Sequence, residues 1–146
     1  MMQMELAAPR TARAAQVAPT TGAGGNAHEK LLGRRVLIVE DEALVAMDLQ
    51  FALEDAGAEV LGPAMSLSDA LAIVGHDAII NCALLDVDIA GHDVYPVAEA
   101  LQRRGIPFIF HTGHGSRRAH SEMFPGAITC LKPTLPERLI ELLAGL

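Results

Sequence analysis

Tryptophan is absent from this sequence, tyrosine occurs once and phenylalanine four times among 146 residues. That scarcity excludes a core built on rings and predicts an aliphatic one of Ala, Leu, Ile and Val, as over half of the chain is hydrophobic. Cysteine is nearly as rare. Cys82 and Cys130 are the only two, which excludes a disulfide framework. Both stand in apolar runs, and both are expected to be buried thiols in a reducing compartment. No apolar run approaches the ~20 residues of a membrane span. No stretch of signal-peptide length occurs between Met1 and Arg13. A cytoplasmic protein is expected. Positive charge is also short, the net charge being -7. Residues 1–30 carry Arg10, Arg13 and Lys30 against Glu5 and Glu29, which leaves -8 on the remainder. An acidic domain repels nucleic acid and anionic membranes and suits a metal cation or a basic partner surface.

The length allows one domain. Residues 1–33, rich in Ala, Pro, Thr and Gly, read as a flexible extension, and 34–146 as the domain. Within it, apolar β-branched runs alternate with segments of helical spacing. Val36 to Val39 is a continuous apolar run, as expected for a strand buried on both faces. Residues 43–56 follow as a helix, with Val45, Leu49, Ala52, Leu53 and Ala56 on one face and Gly57 as its stop. Ala58 to Leu61 is a short strand closed by Gly62-Pro63, and Ser66 or Ser68 caps a helix to Val74. A third strand lies within Ile79 to Asp86, a helix spans Asp93 to Arg104, and strands follow at Ile106 to His111 and Ala127 to Leu131. The last helix runs from Leu135 to Ala144, with Pro136 in its first turn. Such alternation predicts a doubly wound α/β fold, a parallel sheet with helices on both faces. The connection from Gly113 to Gly126 breaks the pattern and is expected to be irregular.

In open α/β sheets functional groups gather beyond the carboxyl ends of the strands. Here those ends carry polar residues. Glu40, Asp41 and Glu42 follow the first strand, Asp86 and Asp88 the third, Thr112 the fourth, and Lys132-Pro133 the fifth. Three carboxylates in one pocket repel each other unless a hard cation sits among them. Mg2+ (or Mn2+) suits Glu40, Asp41 and Asp86, with the main-chain carbonyl of Asp88 as a further oxygen. One carboxylate can then act as a nucleophile towards phosphorus. Lys132 supplies an ammonium for the phosphoryl charge, and Thr112 a hydroxyl.

These residues resemble the receiver domain of two-component response regulators. The resemblance rests on Val36-Leu-Ile-Val-Glu40-Asp41-Glu42, Leu84-Leu85-Asp86-Val-Asp88, Phe110-His-Thr112-Gly113 and Leu131-Lys132-Pro133, and covers about Arg34 to Leu146. It implies a five-stranded flavodoxin-like sheet of order 2-1-3-4-5 and a cis Lys132-Pro133 bond. It implies Asp86 as the phosphoacceptor, Glu40 and Asp41 as the metal-binding acidic pair, Thr112 as the switch hydroxyl and Lys132 as the active-site lysine. Implied partners are a sensor histidine kinase or histidine phosphotransfer protein and a downstream protein target, with no nucleic acid and no membrane. The stretch from Gly105 to Gly113 is similar to the stand-alone receivers with a Phe-Ala-Thr-Gly motif, typical of alphaproteobacteria, some of them acting in stress signalling. His111 replaces the usual small residue.

A further departure is Thr129, which stands where many receivers carry an aromatic ring three residues before the lysine. Readout by ordering of Gly113 to Gly126 is expected instead. His111 is expected on the sheet face opposite Thr112, and His114, two past Thr112, is a candidate for a place near the phosphoryl rather than the main reading of that residue. Leu44, Met47 and Phe51 form a second apolar stripe on the first helix, either core packing or a docking face for a helical partner. Two other functions fit parts of the pattern. Asp86-Val-Asp88 resembles the opening motif of haloacid-dehalogenase-type phosphatases, but Ala90 stands where that motif has Thr or Val. A receiver that binds partners without phosphorylation is the other. The main reading is a signalling module, not an enzyme with turnover.

Overall fold

The structure, a computed structural model, describes residues 27–76, 79–113 and 122–146. The expected extension over 1–26, His114 and most of the fourth connection lie outside the described residues. In chain order the elements are β1 (Arg35–Val39), α1 (Ala43–Asp55), β2 (Glu59–Ala64), α2 (Leu67–His76), β3 (Cys82–Leu85), β4 (Asp88–Ile89), β5 (His92–Asp93), α3 (Tyr95–Arg103), β6 (Phe108–Thr112), β7 (Ile128–Leu131) and α4 (Pro136–Ala144). Five of the strands form one sheet of order β2-β1-β3-β6-β7, and each neighbouring pair is parallel. This is the expected 2-1-3-4-5 topology, with a small β4–β5 hairpin added after β3.

Alternation along the strands divides the core in two. Val36, Ile38, Cys82, Leu84 and Ile109 face α1 and α4, meeting Leu49, Leu53, Leu139 and Leu143. Leu37, Val39, Ala83, Leu85, Phe108 and Phe110 face α2 and α3, meeting Ala70, Val74, Val97 and Leu101. The central strands are therefore buried on both faces, which is why they read as unbroken apolar runs.

The expectation of a purely aliphatic core is corrected on the second face. Phe108, Phe110 and Phe124 form a cluster with Tyr95, with ring centroids 5.3–6.3 Å apart. The few rings are concentrated there because Phe108 and Phe110 alternate onto one face of β6 and Phe124 folds back over them. Cys82 is buried and Cys130 only half-buried, and neither is in a disulfide. Burial pushes the Cys82 thiol up to about 11.

Several boundaries also differ, among them α2, which runs on to His76 rather than Val74, and β6, which spans Phe108–Thr112 rather than Ile106 to His111. β2 does not stop at Gly62-Pro63 but runs through it to Ala64, with a register shift against β1 between Leu37 and Val39. Proline is tolerated there because β2 is an edge strand. α3 starts at Tyr95 rather than Asp93, because Asp93 pairs with Asp88 in the hairpin. Residues 27–33, assigned to the extension, pack on the domain. Leu31 is fully buried against the α1 and α4 face, and its N–H donates to the Ala56 carbonyl at 2.9 Å. Ser66 is the cap of α2, its hydroxyl accepting the Asp69 N–H at 3.1 Å.

Candidate phosphoacceptor site

Each candidate residue at the sheet edge sits at or just past the end of its strand and is held by the ladder of a neighbour. The Glu40 N–H donates to the Ala64 carbonyl at 3.0 Å, and the Asp86 N–H to the Val39 carbonyl at 2.9 Å. The Lys132 N–H donates to the Thr112 carbonyl at 2.8 Å. Parallel pairing thus brings together residues far apart in sequence. Glu40, Asp86 and Thr112 are buried at 1%, 7% and 2% exposure.

Lys132 is the hub. Its Nζ donates to Glu40 Oε2 at 2.8 Å and to Asp86 Oδ2 at 2.9 Å. Charge-assisted bonds of this kind offset the cost of burying two carboxylates. Burial pushes the Glu40 carboxyl above its ordinary value, against the Lys132 hydrogen bond that lowers it. Burial pulls the Lys132 ammonium down, but its bonds to Glu40 and Asp86 outweigh that, and its proton is held more firmly than in free lysine. The second Glu40 oxygen accepts the Glu42 N–H at 3.2 Å. These residues border a cleft of about 350 Å3 lined by Asp41, Glu42, Asp86, Asp88, Gly91, Thr112, Gly113 and Lys132.

One oxygen from each of Glu40, Asp41 and Asp86 lies within 4.8 Å of the others. An all-oxygen, acid-rich donor set of that spacing fits a hard divalent cation such as Mg2+. The Asp88 side chain stays out of this group. It is exposed, and its Oδ1 accepts the Gly91 N–H at 2.9 Å. The sequence reading missed one contributor: the Ala90 N–H, which donates to Asp41 Oδ2 at 2.9 Å. Nothing in the residue types signals it, as Ala-Gly is not one of the turn pairs that announce a hairpin.

His111 lies on the opposite sheet face from Thr112, as expected. It lines a second cavity of about 450 Å3 with Val45, Asp48, Leu49, Pro133 and Pro136, on the α1 and α4 side. The ring is buried, and neither nitrogen has a hydrogen-bond partner among the described residues. Burial, with the Lys132 charge beside it, pulls its pKa down to about 4. The Lys132-Pro133 bond is cis, as the resemblance implied. The α1 stripe is not core. Leu44, Met47 and Phe51 are 78%, 49% and 61% exposed.

The family model of the response regulator receiver domain matches residues 36–144. The chain belongs to that family. This receiver is 30% identical over 107 residues to the phyllosphere-induced regulator PhyR of Methylorubrum extorquens, which covers 72% of the chain. It spans only 40% of the length of that curated relative. Among solved structures, PhyR from Brucella abortus is 28% identical, with a TM-score of 0.68 over 84% of this chain and 50% of that one. A response regulator receiver protein from Sinorhizobium medicae, 24% identical, superposes with a TM-score of 0.68 over 77% of this chain and 94% of that one, and supports the fold. An anti-anti-sigma factor PhyR variant from Bartonella quintana is 26% identical, with a TM-score of 0.63 over 75% of this receiver and 46% of that chain. Among the described residues no helix is long and apolar enough to cross a membrane.

Proposed function

We propose that this receiver accepts a phosphoryl group on Asp86 from a phosphohistidine of a sensor kinase or phosphotransfer protein in the cytoplasm, and signals through protein contacts or drains phosphate from its donor. The observation that carries this reading is the Lys132 ammonium, 2.8 Å from Glu40 and 2.9 Å from Asp86 at the mouth of an acidic cleft. In the proposed step an Asp86 carboxylate oxygen attacks phosphorus. The new P–O bond forms as the P–N bond to histidine breaks, and the departing imidazole keeps the electron pair and takes a proton from solvent. Lys132 and the Thr112 hydroxyl bind the transferred group from the same cleft. Glu40, Asp41 and Asp86 would hold Mg2+ or Mn2+, with the Asp88 carbonyl as a proposed further oxygen, and the ion would supply further neutralisation of phosphoryl charge. The exposed seam of Leu44, Met47 and Phe51 is the proposed contact for an apolar helix face of the donor. The likeness to PhyR proteins, one of them described as an anti-anti-sigma factor, supports a protein as recipient of the signal. The acidic balance of the domain disfavours nucleic acid.

Incubation with acetyl phosphate and Mg2+, followed by intact mass, tests the acceptor. One added phosphoryl group is expected, absent from Asp86→Asn and from a chelator-treated sample. Beryllofluoride binding covers the case of rapid hydrolysis. Failure to take either group would favour the reading of a partner-binding module that works without phosphorylation.

A further inference from the structure

Asp41 lies on the short link between β1 and α1, and its side chain is only half-buried. A carboxylate on such a link is free to turn away from the cleft unless something holds it. The contact that does so comes from outside the link. The Ala90 N–H reaches Asp41 Oδ2 at 2.9 Å across 49 residues of sequence. Ala90 is the one non-glycine residue with positive φ among the described residues, at 51°, and Gly91 follows at 83°. A side chain with a Cβ is disfavoured in that region, and such conformations persist only where the surroundings over-determine them.

Here they do. Ile89 pairs with His92 and Asp88 with Asp93, so Ala90 and Gly91 form a two-residue hairpin loop with φ positive at both, the pattern that matches strand twist. Ile89 is fully buried and anchors the hairpin in the core. Below it the Val94 N–H donates to the Val87 carbonyl at 2.8 Å, and above it Asp88 Oδ1 accepts from Gly91. The Ala90 N–H, being in the loop, has no ladder partner and points instead at Asp41.

We infer that the main-chain N–H of Ala90 is a positioning group for Asp41, and that the β4–β5 hairpin pre-orients this carboxylate towards Glu40 and Asp86 for a divalent cation. The inference rests on the metal-dependent reading above and deepens it. A carboxylate oxygen that accepts one N–H keeps a second oxygen for a cation, and fixing its rotamer beforehand removes an ordering cost from binding. The hairpin leaves β3 just after Asp86, so one rigid element aligns ligands from two strands.

The test is an amide-to-ester replacement at Ala90 in the full chain, which deletes the N–H and leaves shape and side chain in place. Mn2+ affinity is read from the free-ion electron paramagnetic resonance signal, beside the thermal midpoint without metal. About a tenfold weaker Mn2+ affinity is expected, 1.4 kcal/mol by the usual conversion. The metal-free midpoint should stay within a few degrees of the parent. Ala90→Gly keeps the N–H and favours positive φ, and should bind Mn2+ within about twofold of the parent. An ester form with parental or tighter affinity overturns the inference while leaving the phosphoacceptor reading intact. A parent protein that binds no Mn2+ removes both.

Discussion

Exchanging His111 for leucine should make the protein more stable and remove part of its acid sensitivity. The ring is 4% exposed, and neither of its nitrogens has a partner among the described residues. An unsatisfied buried polar group costs about 1–3 kcal/mol, and leucine fills a similar volume without that cost. His111→Leu is therefore expected to gain about 1–2 kcal/mol near pH 7.5, after allowance for imperfect packing. The pH dependence is a second, independent signature. In the folded state the imidazole stays neutral down to about 4, against an ordinary value of 6.5. The unfolded chain therefore binds a proton that the folded one refuses, and stability falls as pH drops from 6.5 towards 4. At pH 4.5 that amounts to roughly 2–3 kcal/mol lost by the parent through this group and not by the variant. Urea unfolding in chelator at pH 7.5 and 4.5 measures both terms. The gap between the two proteins should widen by that amount on the acid side. A gap that stays constant, or a variant less stable than the parent at pH 7.5, refutes the reasoning.

Lys132→Met leaves Glu40 and Asp86 buried without their cation, and should cost about 3 kcal/mol in the absence of metal. Mg2+ should raise the thermal midpoint of this variant more than that of the parent, since it restores positive charge among the same carboxylates. Leu31→Ala should cost about 2–4 kcal/mol in urea unfolding, as Leu31 is fully buried, whereas a boundary at residue 34 predicts almost no effect. Gly62→Ala should lower stability by at least about 1 kcal/mol, because φ there is 88° and an added Cβ would clash with the Ala64 nitrogen and sit 3.0 Å from the Ile38 carbonyl oxygen.

The five-stranded sheet was legible because strands buried on both faces must be apolar at every position, and Val36 to Val39 and Cys82 to Leu85 are. The acidic cleft was legible for a related reason. Polar residues directly after such runs have nowhere to go but the sheet edge, and Glu40, Asp86, Thr112 and Lys132 stand there. What escaped has physical causes too. Strands as short as Asp88–Ile89 and His92–Asp93 carry no periodicity, so the hairpin and its Ala90 amide left no trace. Gly62 and Pro63 are ordinarily punctuation, and only the edge position of β2 lets the strand continue through them. Leu31 stands alone in a short turn, where pattern cannot distinguish a core side chain from an exposed one. On α1 apolar residues occupy both sides, so spacing shows two stripes without saying that Leu49 and Leu53 are buried while Leu44 and Phe51 face outward.

The bond from Lys132 to Glu40 joins residues 92 positions apart, linking the first strand of the sheet to the turn after the last. No shorter stretch of chain contains the cleft. A ribosome must release the fifth strand of the sheet before Glu40 and Asp86 meet Lys132, and until then the proposed site is incomplete. Assembly of the proposed site is thus tied to completion of the sheet.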